Sequence, residues 1–301
     1  MDIASGSNVP RPPVATPEYD ATDKYGVPGW LRNHPELRRR GILLKEFLKP
    51  TIVYHTATFD GLDHVVKVVE EDSREADIYR LLQSHQSPRN HTIPCEIIES
   101  AGQQPILLMP SLSSMDHAGL PDWPLSRMLS VFLQVVEAVE YLHDHNIVHL
   151  DICNGNILMA TEYEARADAR LVAGRVYLID FETSRQLGAG PGVQGTIPVP
   201  PAQIKPPPGI ERVDPYSWDI YCLGKLFERM AKGVYCRRPA LPWTVSRITQ
   251  WMVGNEQGCI GICHRRPTVG QTRWVLCVWL WVTYCGEFFS GLAQHTLHLF
   301  S

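Results

Sequence analysis

His149-Leu-Asp-Ile-Cys-Asn-Gly-Asn156 decides how this chain is read. The stretch places an aspartate and an asparagine behind a histidine, directly after the strongest helical pattern in the sequence. From Trp123 to His143 the apolar residues Met128, Leu129, Phe132, Leu133, Val135, Val136, Val139, Tyr141 and Leu142 are too dense for a single stripe. Their spacing predicts a helix buried on most sides. Downstream, the β-rich run Val176-Tyr-Leu-Ile179 reads as a strand and leads into Asp180-Phe-Glu182.

Upstream the apolar period changes to two. Thr51 to Phe59 and His64 to Val69 are β-rich runs joined through Asp60-Gly61, a strong hairpin signal. Lys67 therefore belongs to the second strand of that hairpin. Glu70 to Gln83 turns helical, with Asp72 or Ser73 as cap and Ile78, Leu81 and Leu82 as the apolar stripe. Ile97-Ile98 marks a short strand, and Pro105 to Pro110 a buried strand leading into a connector. Trp30 to Lys49 reads as short, basic and mildly helical. Gly188 to Pro208 holds seven prolines and four glycines, so no helix or strand is expected there. Helices are expected again over Trp218 to Lys232 and Trp243 to Val253. Strands gather early and helices late, which predicts a two-lobed α+β fold rather than alternating βαβ units.

The polar clusters fit one chemistry. Phosphoryl transfer from ATP needs a lysine on the phosphates, oxygen ligands for Mg²⁺ and an acidic group beside the accepting hydroxyl. Lys67 supplies the first, Asn156 and Asp180 the second, and Asp151 is left to orient the acceptor and take its proton.

With these residues in view, the chain resembles the protein kinase superfamily over roughly residues 50 to 270. Tyr141 to Asp151 looks like the end of a kinase helix and its catalytic loop, and His149, Asp151 and Asn156 keep the H-x-D-x-x-x-x-N spacing. His64-Val-Val-Lys67 resembles the V-A-I-K strand. Asp219-Ile-Tyr-Cys-Leu-Gly224 resembles the D-x-W-S-x-G helix, and Arg266-Pro-Thr268 the R-P-T element. Ser87-Pro-Arg-Asn-His91, Arg39-Arg-Gly41 and Leu108-Met-Pro110 look like words shared by fungal kinase-like proteins. The resemblance implies a bilobal fold with a small β-rich lobe over 30–112 and a helical lobe over 113–270. It implies ATP and Mg²⁺ as cofactors and a protein as substrate. Asp151 would be the catalytic base, Asn156 and Asp180 the metal ligands, and Lys67 the α/β-phosphate grip. Glu75 would be the helix partner of Lys67, with Glu70 and Glu71 as rivals. Met109 would be the gatekeeper, and Pro110 to Leu112 the hinge against adenine. His149 and Asp219 would be structural, Asp219 bracing the catalytic-loop backbone.

The chain also departs from that pattern. No G-x-G-x-x-G precedes Lys67, and the window 42–62 has Gly61 alone, in the hairpin turn. Side chains obstruct the close backbone approach that a phosphate-cradling loop requires. Leu150 stands where an arginine usually sits beside the catalytic aspartate, so an activation-loop phosphate would lack that partner and phospho-loop control of the usual kind is not expected. Cys153 replaces a lysine common in Ser/Thr kinases. Glu182 replaces the DFG glycine and adds a second carboxylate near the metal. Gln203 stands at the A-P-E glutamate, so its contact with Arg266 is expected to be a neutral one. These departures leave three functions in play: an ATP-dependent protein kinase (Ser/Thr rather than Tyr), a pseudokinase scaffold, and a small-molecule phosphotransferase of the aminoglycoside- or choline-kinase type.

Composition bounds the rest. Apolar residues make up 44% and charged residues 20% of the 301, enough for a sizeable core and too apolar for global disorder. A net charge of −4 argues against nucleic acid or an anionic membrane as a general partner. The eight cysteines are scattered and Met1 to Pro13 has no apolar signal core, so an intracellular site, cytoplasmic or nuclear, is expected. Cys259-x-x-x-Cys263-His264 is not a standard zinc spacing. The run Arg38-Arg39-Arg40 reads as a solvated helix face. Residues 1–29, with five prolines, read as a mobile leader. After Arg273 the one remaining acid or base apart from histidine is Glu287. Trp274 to Val282 shows no polar face and Trp274 to Gly286 is too short to span a bilayer, so 271–301 is expected to be an atypical apolar tail that does not pack as a normal kinase terminus and lies partly outside the domain.

Overall fold

The computed structural model describes residues 26–49, 52–57, 62–115, 123–237, 240–254 and 266–299. Two short helices, α1 (Gly29–Arg32) and α2 (Pro35–Arg39), precede strands β1 (Leu43–Lys49), β2 (Val53–Ala57) and β3 (His64–Val68). Helix α3 (Glu75–Ser84) follows, then β4 (Glu96–Ile98) and β5 (Ile106–Pro110). The five strands make one antiparallel sheet in the order β1-β2-β3-β5-β4.

Alternation along β3 sorts the two faces of this sheet. Val66 and Val68 join Tyr54, Ile106 and Leu108 in a core closed by Val27, Leu31 and Leu37 from the N-terminal segment. Lys67, one residue out of phase and opposite Leu107, projects to the other face, where α3 lies. The expected hairpin is present as the β2–β3 pairing, with Val53 opposite Lys67; its Asp60-Gly61 turn lies outside the described residues.

Four expectations for this lobe are corrected. Residues 43–49 form a strand, not the end of a helical stretch: β1 is an edge strand exposed along most of its length, so its side chains show no alternation to read. The leader boundary moves back, because Val27 is buried and Gly29 opens α1; residues 1–25 lie outside the described residues. Helix α3 starts at Glu75 rather than Glu70. Ser73 N bonds Glu70 O in a preceding turn, and the Ser73 hydroxyl accepts from Glu75 N at 3.2 Å. The Arg38–Arg40 run is not wholly solvated: Arg39 and Arg40 both pair with Glu36, and Arg40 also reaches Glu96 on β4.

The second lobe is built on α4 (Leu125–Asp144), as its dense apolar pattern demanded. Strands β6 (Ile147–Val148) and β7 (Ile157–Met159) bracket the 149–156 loop; α5 (Glu162–Ala167) and β8 (Val176–Leu178) follow, then β9 (Arg185–Gln186). β6 pairs with β9 and β7 with β8, both antiparallel. That double pairing holds the loop after β6 beside the loop after β8, which brings Asp151 and Asn156 to Asp180. In the proline-rich segment one short exception to the expectation appears: β10 (Ile197–Pro198) pairs with β11 (Arg212–Val213). Helix α6 (Pro215–Val234) crosses α4, with Phe227 stacked on Phe132 at 3.8 Å between ring centres. It also packs against α7 (Trp243–Val253).

The tail is the largest correction. Residues 269–299 form one helix, α8 (Val269–Leu299), and it packs along α4. Thr272 and Leu276 are fully buried, and Val275, Trp279 and Leu280 rest on the core. Arg273 pairs with Glu140 at 3.3 Å, and Glu287 accepts from Ser126 N at the start of α4 at 3.4 Å. The sequence hid this because the outer face is aromatic too. Trp274 and Trp281 are each 69% exposed, and Phe288 and Phe289 follow, so there is no polarity contrast to read. Among the described residues no helix is long and apolar enough to cross a membrane.

Candidate active site

Lys67 is the centre of the cleft. Its ammonium lies 2.7 Å from Glu75 Oε2 and 2.6 Å from Asp180 Oδ1, with Glu182 Oε2 at 3.5 Å. Lys67 is 6% and Glu75 1% exposed, so the pair is desolvated and each partner depends on the other. The rivals Glu70 and Glu71 precede α3, and it is Glu75 that faces the lysine. Burial would lower the Lys67 pKa, but Glu75 and Asp180 overcome it and keep the amine charged above its usual range. Burial pushes the Asp180 carboxyl up, and the Lys67 ammonium beside it more than reverses this, holding the carboxyl below its usual range. Glu75 Oε1 also accepts from Phe181 N at 3.0 Å, tying α3 to the Asp180 loop. Phe181 in turn packs edge-on to Tyr79 and tilts against His149.

The 149–156 loop is braced by Asp219 at the buried side of α6. Its carboxylate accepts from His149 N at 2.9 Å, Leu150 N at 2.8 Å and the His143 ring at 3.0 Å. Trp218 Nε1 donates to Leu150 O at 2.9 Å. Those bonds hold Leu150 at φ 68°, a left-handed conformation that costs a non-glycine residue about 1 kcal/mol. Asp180 is in the same region at φ 65°. His149 is structural, as expected: its Nε2 faces Ile179 O at 3.2 Å and its Nδ1 accepts from Asp151 N at 3.3 Å.

The Asp151 carboxylate is held as an acceptor from two sides. Asn156 Nδ2 donates to Asp151 O at 2.9 Å and to its Oδ2 at 3.2 Å. With its nitrogen committed to Asp151, Asn156 keeps its Oδ1 for a cation. Asp180, Glu182 and Asn156 make an all-oxygen donor set of the kind Mg²⁺ takes. They fit that ion, whereas no group of three or more His, Cys, Asp or Glu side chains converges as a metal site among the described residues. Cys259, Cys263 and His264 lie outside the described residues. At the other end of the cleft, Met109 is buried in β5 with its Sδ 3.5 Å from Tyr79 Oη, and Leu112 packs half-buried against the core.

Three features were not legible beforehand. Gln203 does not play the part foreseen for it: its backbone N donates to Asp151 Oδ1 at 2.7 Å and its Nε2 lies 3.4 Å from Oδ2. Arg266 instead donates to Val253 O and Ser217 Oγ and lies over the Tyr221 ring. Lys49, at the end of β1, reaches Glu182 at 3.3 Å. Ile52 N bonds Lys49 O, so β1 passes to β2 within a few residues rather than through a long loop. His55 on β2 contacts Ser111 just beyond β5 at 3.0 Å. A strand assignment for 43–49 would have placed Lys49 beside the cleft; nothing in the sequence pointed Gln203 at Asp151.

Residues 65–234, more than half of the chain, match the protein kinase domain family, and the chain belongs to that family. It is 32% identical over 143 residues to a serine/threonine-protein kinase-like protein of Arabidopsis thaliana, covering 46% of this chain and 39% of the relative. It is 37% identical over 102 residues to a protein of Acanthamoeba polyphaga mimivirus named only as a candidate serine/threonine-protein kinase, covering 32% of each. It is 31% identical over 98 residues to the serine/threonine-protein kinase PLK4 of Nematostella vectensis, covering 33% of this chain and 9% of that one. The chain therefore spans well under half the length of these relatives. They come from a plant, a virus and a sea anemone, and give the expected fungal likeness no support.

Proposed function

We propose that the chain is an ATP-dependent protein kinase that phosphorylates serine or threonine hydroxyls. The observation that carries this reading is the convergence of Lys67, Glu75 and Asp180 in one ion-paired cluster beside the Asp151–Asn156 loop. In the reaction the acceptor oxygen attacks the γ-phosphorus, the bond to the β-phosphate oxygen breaks, and ADP leaves. Asp151 orients the hydroxyl and takes its proton, with its carboxylate fixed from both sides by Asn156 and Gln203. Lys67 binds the α/β-phosphates, and its ion pair with Glu75 sets where the ammonium sits. Mg²⁺, held by Asn156 and Asp180 with Glu182 beside them, would neutralise phosphate charge. The names of the relatives support Ser/Thr over Tyr as acceptor.

A pseudokinase is the second reading, and the β1–β2 edge favours it. The edge lacks a glycine-rich loop, and the Lys49–Glu182 pair lies beside Lys67. Transfer from radiolabelled Mg·ATP to protein acceptors separates the two. The kinase reading expects Asp151→Ala and Asp180→Ala each to lower transfer about 10²- to 10⁴-fold. Equal transfer in those variants, or no Mg·ATP-induced rise in melting temperature that Lys67→Ala abolishes, would sink it.

A further inference from the structure

Beside the catalytic loop lies an open cavity of about 790 Å³, walled by Cys153–Gly155, Gln203–Lys205 and one face of α6. Its charge is unlike that of the chain. Lys205, Lys225, Arg229 and Lys232 line it, against the single acid Glu228, in a protein whose net charge is −4. Glu228 is itself engaged by Lys232 at 2.7 Å and Lys225 at 3.0 Å. Those hydrogen bonds, from Lys232 first, hold its carboxyl below the usual range, so it is ionised and the lining keeps an excess of three positive charges near pH 7. Arg229 and Lys232 are both exposed. The cavity is also contiguous with the reacting centre. Gln203 is part of its wall and donates to both carboxylate oxygens of Asp151. Cys153 and Gly155 are the loop residues just beyond Asp151.

We propose that this basic cavity selects the protein substrate, receiving an anionic side chain (a carboxylate or a phosphorylated serine) within about three residues of the accepting hydroxyl. The proposal rests on the kinase reading above and names its substrate class. Arg229 and Lys232 are the specificity residues: both are exposed on the cavity wall, and Lys232, bonded once to Glu228 at 2.7 Å, has further N–H groups for a second anion. Gln203 is a positioning residue, linking the mouth of the cavity to the base. A peptide with lysine at the same place would meet like charges and be rejected.

The test uses the full chain and peptides of one sequence around a serine acceptor, carrying Glu, phosphoserine, Gln or Lys at the neighbouring positions. The Glu or phosphoserine peptide is expected to show a KM about tenfold below that of the Gln peptide, with binding that weakens as salt rises. Phosphoserine ahead of Glu identifies a phosphate monoester as the anion, and the reverse order a carboxylate. Arg229→Glu with Lys232→Glu should raise the acidic-peptide KM about tenfold with a smaller change in kcat. Preference for the Gln or Lys peptide, or an unchanged KM in the charge-reversal variant, overturns the proposal. Fluorescence anisotropy with the same peptides keeps the two readings apart. Selective binding of anionic peptides without any transfer retains the cavity and removes the kinase; transfer with a preference for Lys peptides retains the kinase and removes the cavity.

Discussion

The catalytic loop and the β1–β2 edge face the same cleft and are held in opposite ways. The loop hangs from a buried carboxylate: Asp219 accepts three hydrogen bonds, and Leu150 is locked into a strained backbone between Asp219 and Trp218. The edge is an exposed strand with one neighbour, tied to the cleft through the half-exposed Lys49–Glu182 pair. The loop side of the cleft is over-determined by buried hydrogen bonds, whereas the strand side rests on side-chain charge. On the kinase reading proposed above, the two sides can be altered independently.

Each side of that contrast can be tested by substitution. The largest effect is expected from Asp219→Ala, which strips three buried donors of their acceptor; urea unfolding should show a loss of about 3–5 kcal/mol. A loss under about 1 kcal/mol would mean the loop is not braced as described. His91 comes next, since it joins the segment after α3 to β8, the strand that leads to Asp180. Its Nδ1 lies 2.8 Å from Val176 O, and burial pushes its pKa down to about 4. Below about 6.5 the unfolded chain takes up a proton that the folded one refuses, so stability should fall as pH drops from about 6.5 to 4. The full loss is up to about 3 kcal/mol. His91→Asn should flatten that slope in unfolding measured across pH, and an unchanged slope would assign it to other groups.

Gly224→Ala tests the packing behind the brace. A Cβ there would come 2.9 Å from Met252 Cβ and Val253 N on α7, and thermal melts should register a loss of about 2 kcal/mol. The smallest effect is expected at the edge. Lys49→Ala should leave stability within about 0.5 kcal/mol, because the pair is exposed. It should weaken Mg·ATP binding about three- to tenfold by calorimetry, and an unchanged affinity would remove Lys49 from the nucleotide site.

Much of the site was readable because its signals are local. Lys67 on a two-period strand, the buried helix before His149, and the spacing of His149, Asp151 and Asn156 all depend on near neighbours, and each residue stands where its motif placed it. Glu75 was harder, since Glu70 and Glu71 were rivals until the start of α3 selected it. β1 escaped because an exposed edge strand shows no alternation, and α8 because its outer face is as aromatic as its inner one.

The sequence by itself determined the class of fold, the central strands and helices, and which polar residues gather at the cleft. Those follow from periodicity and motif spacing, which the chain carries whatever its path. The tertiary structure alone decided that Gln203 turns to Asp151, that the tail docks on α4, and that Lys205, Lys225, Arg229 and Lys232 enclose one cavity. These contacts join segments far apart in sequence across irregular loops. Their geometry is set by where each loop is pinned, and no local pattern records it.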